Sequence, residues 1–448
     1  MSLFYDVIIV GAGPAGIFTA LELTRSGQNS LKILIIEKGK DIQERECRLT
    51  GWGGAGAYSD GKLTLSTEVG GTLFKDFSAS YAENLLQLVD KIYVDFGAPK
   101  DLYGVDEIKF EGLKRKATMA NLKLITMKIR HLGTERCFSI LKDMRNFLQN
   151  KIDVLTDTEV KQIITEKNFV KGVITKEGKE YSGRYVVVAP GRVGANWLAQ
   201  EAQRLGLKQQ VNPVDVGVRV EVPAVVAEPL TESIYEAKLL FTSRRFDDKV
   251  RTFCMCPYGE VVIENYEGVI TVNGHSYGNK KTNNTNFAIL VSKNFTEPFK
   301  EPISYGKYIA QLANLLGEGV IIQRLGDLLL GRRSTESRIK KSIVTPTLTT
   351  ATPGDLSLVF PYRHLTSIIE MLEALDKVAP GIYSPHTLLY GVEVKFYSSK
   401  LTHTKYLETE INNLFIAGDG AGITRGLIQA SASGILVAKE ILRREKKE

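Results

Sequence analysis

An apolar run, Val7-Ile8-Ile9-Val10, leads straight into Gly11-Ala12-Gly13-Pro14-Ala15-Gly16. The run reads as a buried parallel strand, because neither face carries a polar residue. Ile17, Ala20, Leu21 and Leu23 then recur at helical spacing up to Gly27, which suits a helix C-cap. A second apolar run, Ile33-Leu34-Ile35-Ile36, ends on Glu37. Strand, glycine turn, helix, strand and acid in this order predict a dinucleotide-binding unit. Each residue type has a physical task there. Gly11 permits the tight turn, Gly13 lets backbone approach a pyrophosphate, and Gly16 lets the helix lie against the strand. The helix start at Pro14 and Ala15 offers free N–H groups and partial positive charge to phosphates. Glu37, with Lys38 beside it, can accept hydrogen bonds from a ribose and disfavours a 2′-phosphate. A glycine-rich turn in an ordinary α/β domain is the plainer alternative.

At 448 residues the chain exceeds what one core holds, so two or three domains are expected. No apolar run reaches membrane-spanning length, and Asp6 interrupts the N-terminal apolar stretch. The expectation is a soluble, cytoplasmic protein without a membrane span. The net charge of +7 is modest, and its clusters lack interleaved aromatics, which argues against nucleic acid. The cysteines, Cys47, Cys137, Cys254 and Cys256, have no zinc spacing, so no metal site is expected.

After Glu37 come Arg45 and then Gly51-Trp52-Gly53-Gly54-Ala55-Gly56-Ala57-Tyr58. Such glycine density lets backbone approach a ligand, and Gly53 and Gly54 are candidate cofactor contacts; a flexible loop is the alternative. Residues 76–97 and 134–150 show helical periodicity, whereas 98–133 is mixed and basic. Strand signal returns near Val160 and again at Tyr185-Val186-Val187-Val188-Ala189, which ends on Pro190-Gly191-Arg192. From about 214 to 291 the texture is β-rich, with a polar tract at 279–286 that reads as a loop. The chain closes with Leu414-Phe415-Ile416-Ala417, Gly418-Asp419, Arg425-Gly426, and a helix from Leu427 lined with Ala430, Ser431, Ala432, Ser433 and Gly434.

Taken together, these pieces resemble the glutathione-reductase-type FAD proteins. Gly11, Gly13, Gly16, Glu37, Gly418 and Asp419 match that superfamily's cofactor positions, and the resemblance implies an adenine-side backbone contact at Val160. The segments 51–62 and 254–261, Asn273-Gly274 with Ser276, and Gly331-Arg332-Arg333-Ser334-Thr335 resemble the broadly distributed "uncharacterised FAD-dependent dehydrogenase" family over nearly the whole chain. Where that family more usually has Pro-Gly-Gly, this chain has Pro257-Tyr258-Gly259. The resemblance implies FAD as cofactor, with Asp419 at the ribityl–pyrophosphate region. The final helix would present its N-terminus, at Gly426 and Leu427, to the flavin. No second flanked GxGxxG appears, so NAD(P)H would dock only transiently as a donor.

The expected fold class is α/β: a Rossmann-type three-layer FAD-binding domain with an inserted β-rich (α+β) substrate domain. The boundaries read from sequence are 1–75, 134–213 and 396–448 for the first, and 76–133 with 214–395 for the second. The flavin carries the redox chemistry, and few residues stand out beside it. Cys254 and Cys256 would share one strand face and are either a redox pair or small buried hydrophobes. His275 is a candidate general base, and Arg333 with Arg332 a candidate anion site; structural or surface roles are the alternatives for all of them. Tyr58, Tyr258 and Tyr277 are undiscriminated. The expected activity is hydride transfer between flavin N5 and a small organic substrate, anionic if the arginines bind it. The alternatives are a flavin monooxygenase or prenyl-chain reductase, and a non-enzymatic flavin-binding or sensory protein.

Overall fold

The computed structural model describes residues 3–25, 31–47, 49–58, 61–104, 106–125, 127–210, 212–231, 234, 237–266, 268–276, 280–295, 299, 301–395 and 400–446. Gly27 and Tyr277 lie outside the described residues, as does the Tyr58 side chain. Two compact units form, one from Met1–Tyr103, Met127–Gln210 and Ser398–Glu448, the other from Gly104–Thr126 and Val211–Tyr397.

The first unit is built on parallel strands. Leu3–Val10 lies between Ile33–Ile36 and Glu180–Val188; Asp153–Leu155 extends one side and Leu414–Ile416 the other. In chain order these strands stand third, second, first, fourth, fifth, the arrangement of a dinucleotide-binding sheet. Val7, Ile8 and Ile9 are fully buried, as the two-faced apolar run demands. An antiparallel hairpin, Val160–Glu166 with Phe169–Thr175, joins the other half of Glu180–Val188. The first helix, Pro14–Arg25, packs on the final helix, Leu427–Glu445. Gly434 makes this contact close, because a Cβ there would sit 2.1 Å from the Ala15 carbonyl oxygen.

Residues 76–103 and 127–133 belong to this first unit, which corrects the boundaries read from sequence. The helix Ala79–Asp95 buries Ala82, Leu86, Val89 and Tyr93. Tyr93 packs at a tilt against Phe18 (4.9 Å between ring centroids) and its hydroxyl meets Ser431 Oγ at 3.0 Å. Lys128–His131 pairs antiparallel with Lys62–Leu65.

The second unit is organised on one long sheet, antiparallel except at one edge. Its centre is Leu388–Lys395, Val214–Pro223, Asn284–Lys293 and Lys249–Cys256 in spatial order. Val214–Pro223 alternates apolar and polar residues, yet both faces are buried. Helix Tyr362–Asp376 packs on this sheet. The polar tract read as a loop is strand from Asn284 onward, and Asn284, Thr285 and Asn286 are buried; their side chains serve a polar network inside the unit.

Candidate functional site

Within the first unit, the turns that follow three parallel strands pack on one another. Gly11 has φ +103°, and a Cβ there would stand 2.2 Å from the Ala189 carbonyl oxygen. Gly16 is fixed by the Gly11 carbonyl oxygen, 2.0 Å from where its Cβ would be. Gly420 is similarly closed by the Gly191 carbonyl oxygen at 2.3 Å. Gly13 differs: among the described residues, no atom beyond its chain neighbours lies within 4 Å of an added Cβ. Gly191 and Gly426 also face open space, although their positive φ angles favour glycine in any case.

The two helix starts converge here. An added Cβ on Gly56 would touch Leu427 Cδ2 at 2.7 Å and Pro14 Cγ at 3.5 Å. Pro14, Gly53, Gly56 and Leu427 line one small cavity together with Tyr93 and Cys137. Gly54 lies over the Gly13 Cα, and the Gly53 N–H donates to the Ala12 carbonyl at 2.7 Å. The glycine-rich segment therefore lies directly on the glycine turn.

Glu37 is buried and accepts from the backbone N–H groups of Ala12 (2.8 Å), Gly39 (2.9 Å) and Gly51 (2.9 Å). Its carboxylate ties the first turn to the glycine-rich segment. The segment leading to Val160 is held beside it, with the Thr158 N–H donating to the Glu37 carbonyl at 3.0 Å. Lys38 is half-buried next to it. Arg45 is turned inward onto carbonyls of the loop, donating to Trp52 (2.6 Å), Gly54 (2.9 Å) and Cys47 (3.0 Å). Trp52 is fully buried and donates to the Leu141 carbonyl, so it is core.

Asp419 follows strand Leu414–Ile416. Its Oδ1 accepts from Thr424 Oγ1 at 2.7 Å and from the Gly426 N–H at 3.3 Å. Among the described residues both bonds fall on Oδ1, which leaves Oδ2 to accept from a ligand. Burial raises its pKa, against the Thr424 hydroxyl, Arg192, the Gly426 N–H and Arg425. The Ala430 N–H closes the first turn on the Gly426 carbonyl, so the N–H groups of Leu427, Ile428 and Gln429 precede the helical ladder.

The second-unit candidates separate. Cys254 and Cys256 come together, with 3.9 Å between sulfurs. His275 is exposed on the hairpin Glu260–Tyr266/Val269–His275. Arg332 is bound to buried Asp327 at 2.9 Å, whereas the Arg333 side chain is exposed. Tyr258 has φ +51°, the left-handed conformation that a glycine would take more easily, and its hydroxyl donates to Glu228 at 3.2 Å.

Sequence reading missed Arg219, Glu221 and Glu393, all fully buried. Arg219 donates to Asn286 Oδ1 (2.8 Å) and the Cys254 carbonyl (2.6 Å) and faces Glu393 (3.4 Å). Glu221 accepts from Tyr390 (2.5 Å), Thr347 (2.5 Å) and Asn284 (3.1 Å), and burial raises its pKa. Gly274 makes room for Arg219, because a Cβ there would lie 1.8 Å from Nη2.

Residues 213–396 match the family model described as "FAD-dependent protein, C-terminal domain-like". A protein of Clostridium beijerinckii described as uncharacterized is 28% identical over 475 residues, covering 97% of this chain and 80% of its own. Among solved structures, formate oxidase aligns over 100% of this chain and 99% of its own, at 12% identity and TM-score 0.49. L-proline dehydrogenase from P. horikoshii covers 99% and 95%, at 14% identity and TM-score 0.42. Residues 213–396 are thus similar to a module of FAD-dependent proteins, and FAD is the cofactor of this chain. No helix among the described residues is long and apolar enough to cross a membrane.

Proposed function

We propose that this FAD-dependent oxidoreductase is a dehydrogenase or reductase of the glutathione-reductase type that acts on a small organic molecule. The observation that carries the reading is the meeting of two helix starts, at Pro14 and Leu427, on one glycine-lined edge that also holds Asp419. Gly13 tests the fit. Protein packing does not require glycine there, since nothing lies within 4 Å of its Cβ position. A pyrophosphate approaching the backbone does require it.

FAD, when bound, supplies hydride transfer to or from substrate. This chain's residues bind and orient. The N–H groups of Ala15 and Gly16 would hold phosphate oxygens at the start of the first helix. Glu37, its carboxylate already aligned by three backbone N–H groups, would accept from the ribose. Asp419 would accept from a ribityl hydroxyl through Oδ2. The N–H groups at Leu427 and Ile428 would favour the negative charge that reduction adds. Arg333, exposed on its loop, is the residue we assign to an anionic group on the substrate. The second unit is the substrate-recognition part in this reading.

The test is FAD reconstitution followed by anaerobic addition of NADH and then NADPH, read by the visible flavin bands. Bleaching by one nucleotide supports a pyridine-nucleotide-linked reductase. Bleaching only with an organic donor supports a dehydrogenase. Oxygen consumption with NADPH points to a monooxygenase, and FAD that no donor reduces points to a sensory role. Failure to take up FAD overturns the reading.

A further inference from the structure

The second unit holds two thiols beside a buried cation, and the cofactor reading uses neither. Strand Lys249–Cys256 slips register against Asn284–Lys293 between Phe253 and Cys256, and Cys254 takes φ +43°. A regular strand would already send residues 254 and 256 to one face. The bulge brings their sulfurs to 3.9 Å. Cys256 is buried and Cys254 is half-buried.

The cation is Arg219, with no exposed surface. Its Nη2 lies 3.2 Å from Cys256 Sγ, while Nη1 faces Glu393 Oε2 at 3.4 Å. Lys395 Nζ is 3.1 Å from the other oxygen of Glu393 and 3.8 Å from Glu264 at the rim. Two cations thus share one fully buried carboxylate. Glu264 already offsets Lys395, and the Arg219 guanidinium beside Cys256 Sγ would stabilise a thiolate there, as positively charged neighbours do for reactive cysteines. Burial opposes the charged guanidinium, yet Glu393 and the two cysteines in their thiolate form raise its pKa.

We propose that Cys254 and Cys256 form a reversible two-electron couple, a Cys-x-Cys dithiol that closes to a disulfide by exchange with a small-molecule disulfide. The half-buried Cys254, as thiolate, attacks one sulfur of the external disulfide. A mixed disulfide forms and one external thiolate leaves. Cys256, as thiolate beside Arg219, then attacks Cys254 Sγ, and the second external thiolate leaves. The protein loses two protons and two electrons, and the external disulfide becomes two thiols. With only one residue between the sulfurs the bond is strained, so it returns readily to the dithiol.

The test equilibrates the full chain with oxidised and reduced glutathione, caps free thiols with a maleimide and weighs the peptides. In the wild type, the peptide holding Cys254 and Cys256 is expected to lose both caps together and carry no glutathione. Cys256→Ser should accumulate glutathione on Cys254, about tenfold above wild type, because the closing step is gone. Sampled over time after oxidised glutathione is added, Arg219→Lys, which keeps the charge without the fork, should close about tenfold more slowly while the mixed disulfide on Cys254 forms at an unchanged rate. A purely structural Arg219 would lower the melting temperature and leave closure untouched, which removes Arg219 from the proposal. Both thiols remaining capped at every glutathione ratio, or glutathione retained on the wild-type peptide, overturns the couple.

Discussion

In the first unit Glu37 is buried against the backbone N–H groups of Ala12, Gly39 and Gly51; in the second, Glu393 is buried against the side chains of Arg219 and Lys395. The same acid is held in two different ways. Four glycines show the same contrast: a Cβ on Gly11, Gly16 or Gly434 of the first unit would meet a backbone carbonyl oxygen, whereas one on Gly274 of the second would meet a guanidinium. A site made of backbone tolerates side-chain change, because most of its donors stay in place. A network of buried side chains fails when one partner is removed, because a charge is left without compensation.

The largest expected effect follows from that contrast. Glu393→Gln strands Arg219 and should destabilise the protein by about 3–5 kcal/mol. Glu37→Gln retains an acceptor oxygen for part of its N–H set and should cost about 1–3 kcal/mol. Denaturant melts of both variants decide it. A larger loss for Glu37→Gln would reverse the comparison.

Acid should strike the second unit through His364. The imidazole is 2% exposed, and neither ring nitrogen has a hydrogen-bond partner among the described residues. Burial first, and Lys293 next, push its pKa down to about 4. The unfolded chain takes up this proton near pH 6.5, before the folded one does, so stability is full above that range. It falls as pH drops from about 6.5 toward about 4, by a total of about 3 kcal/mol. His364→Leu should flatten the slope in a series of melts across pH. His403 in the first unit is shifted down too, also by burial. If His403→Gln removes as much of the slope, the acid sensitivity is not a property of the second unit.

The contrast also explains what could be read from the sequence. The 5–37 unit was legible because apolar runs, glycines and an acid at fixed spacing each state a backbone requirement. The end of the final strand and Asp419 were legible for the same reason. Arg219 and Glu221 were not. They sit in a strand that alternates apolar and polar residues, the pattern of a half-solvated strand, and burial of the polar face depends on partners far away in sequence. Glu393 and Asn286 lie 174 and 67 residues from Arg219. Gly274 stands out in the Asn273-Gly274 motif, but the reason for it is a side chain on another strand. The unit to which residues 76–103 belong is not legible either, because a helix's apolar face shows that it packs, not what it packs against.

Two glycines separate stability from binding within the first unit. Gly16→Ala would drive a Cβ to 2.0 Å from the Gly11 carbonyl oxygen, a backbone contact that cannot give. It should cost about 1–3 kcal/mol of stability and lose FAD with it. Gly13→Ala meets no protein atom within 4 Å. It should leave the melt of the apoprotein unchanged and weaken FAD binding at least about tenfold, ~1.4 kcal/mol. If Gly13→Ala binds FAD normally, the pyrophosphate does not cross that turn.

Asp419 gives the smallest and most discriminating effect. Burial raises its pKa, so the folded apoprotein holds this proton more tightly than the unfolded chain does. Its contribution to stability is therefore most favourable below the ordinary carboxylate range and declines as pH rises through that range to the raised value. At neutral pH the apoprotein carries a half-buried, poorly solvated charge that opposes folding. Asp419→Asn keeps an oxygen for Thr424 and the Gly426 N–H, removes the charge and should stabilise the apoprotein at pH 7. The same change weakens a charge-assisted hydrogen bond to the cofactor, and FAD affinity should fall about tenfold. A melt without FAD and a titration with it should therefore move in opposite directions. If both fall together, Asp419 is a structural carboxylate like Glu393; if the melt falls and the titration holds, the cofactor makes no use of Oδ2.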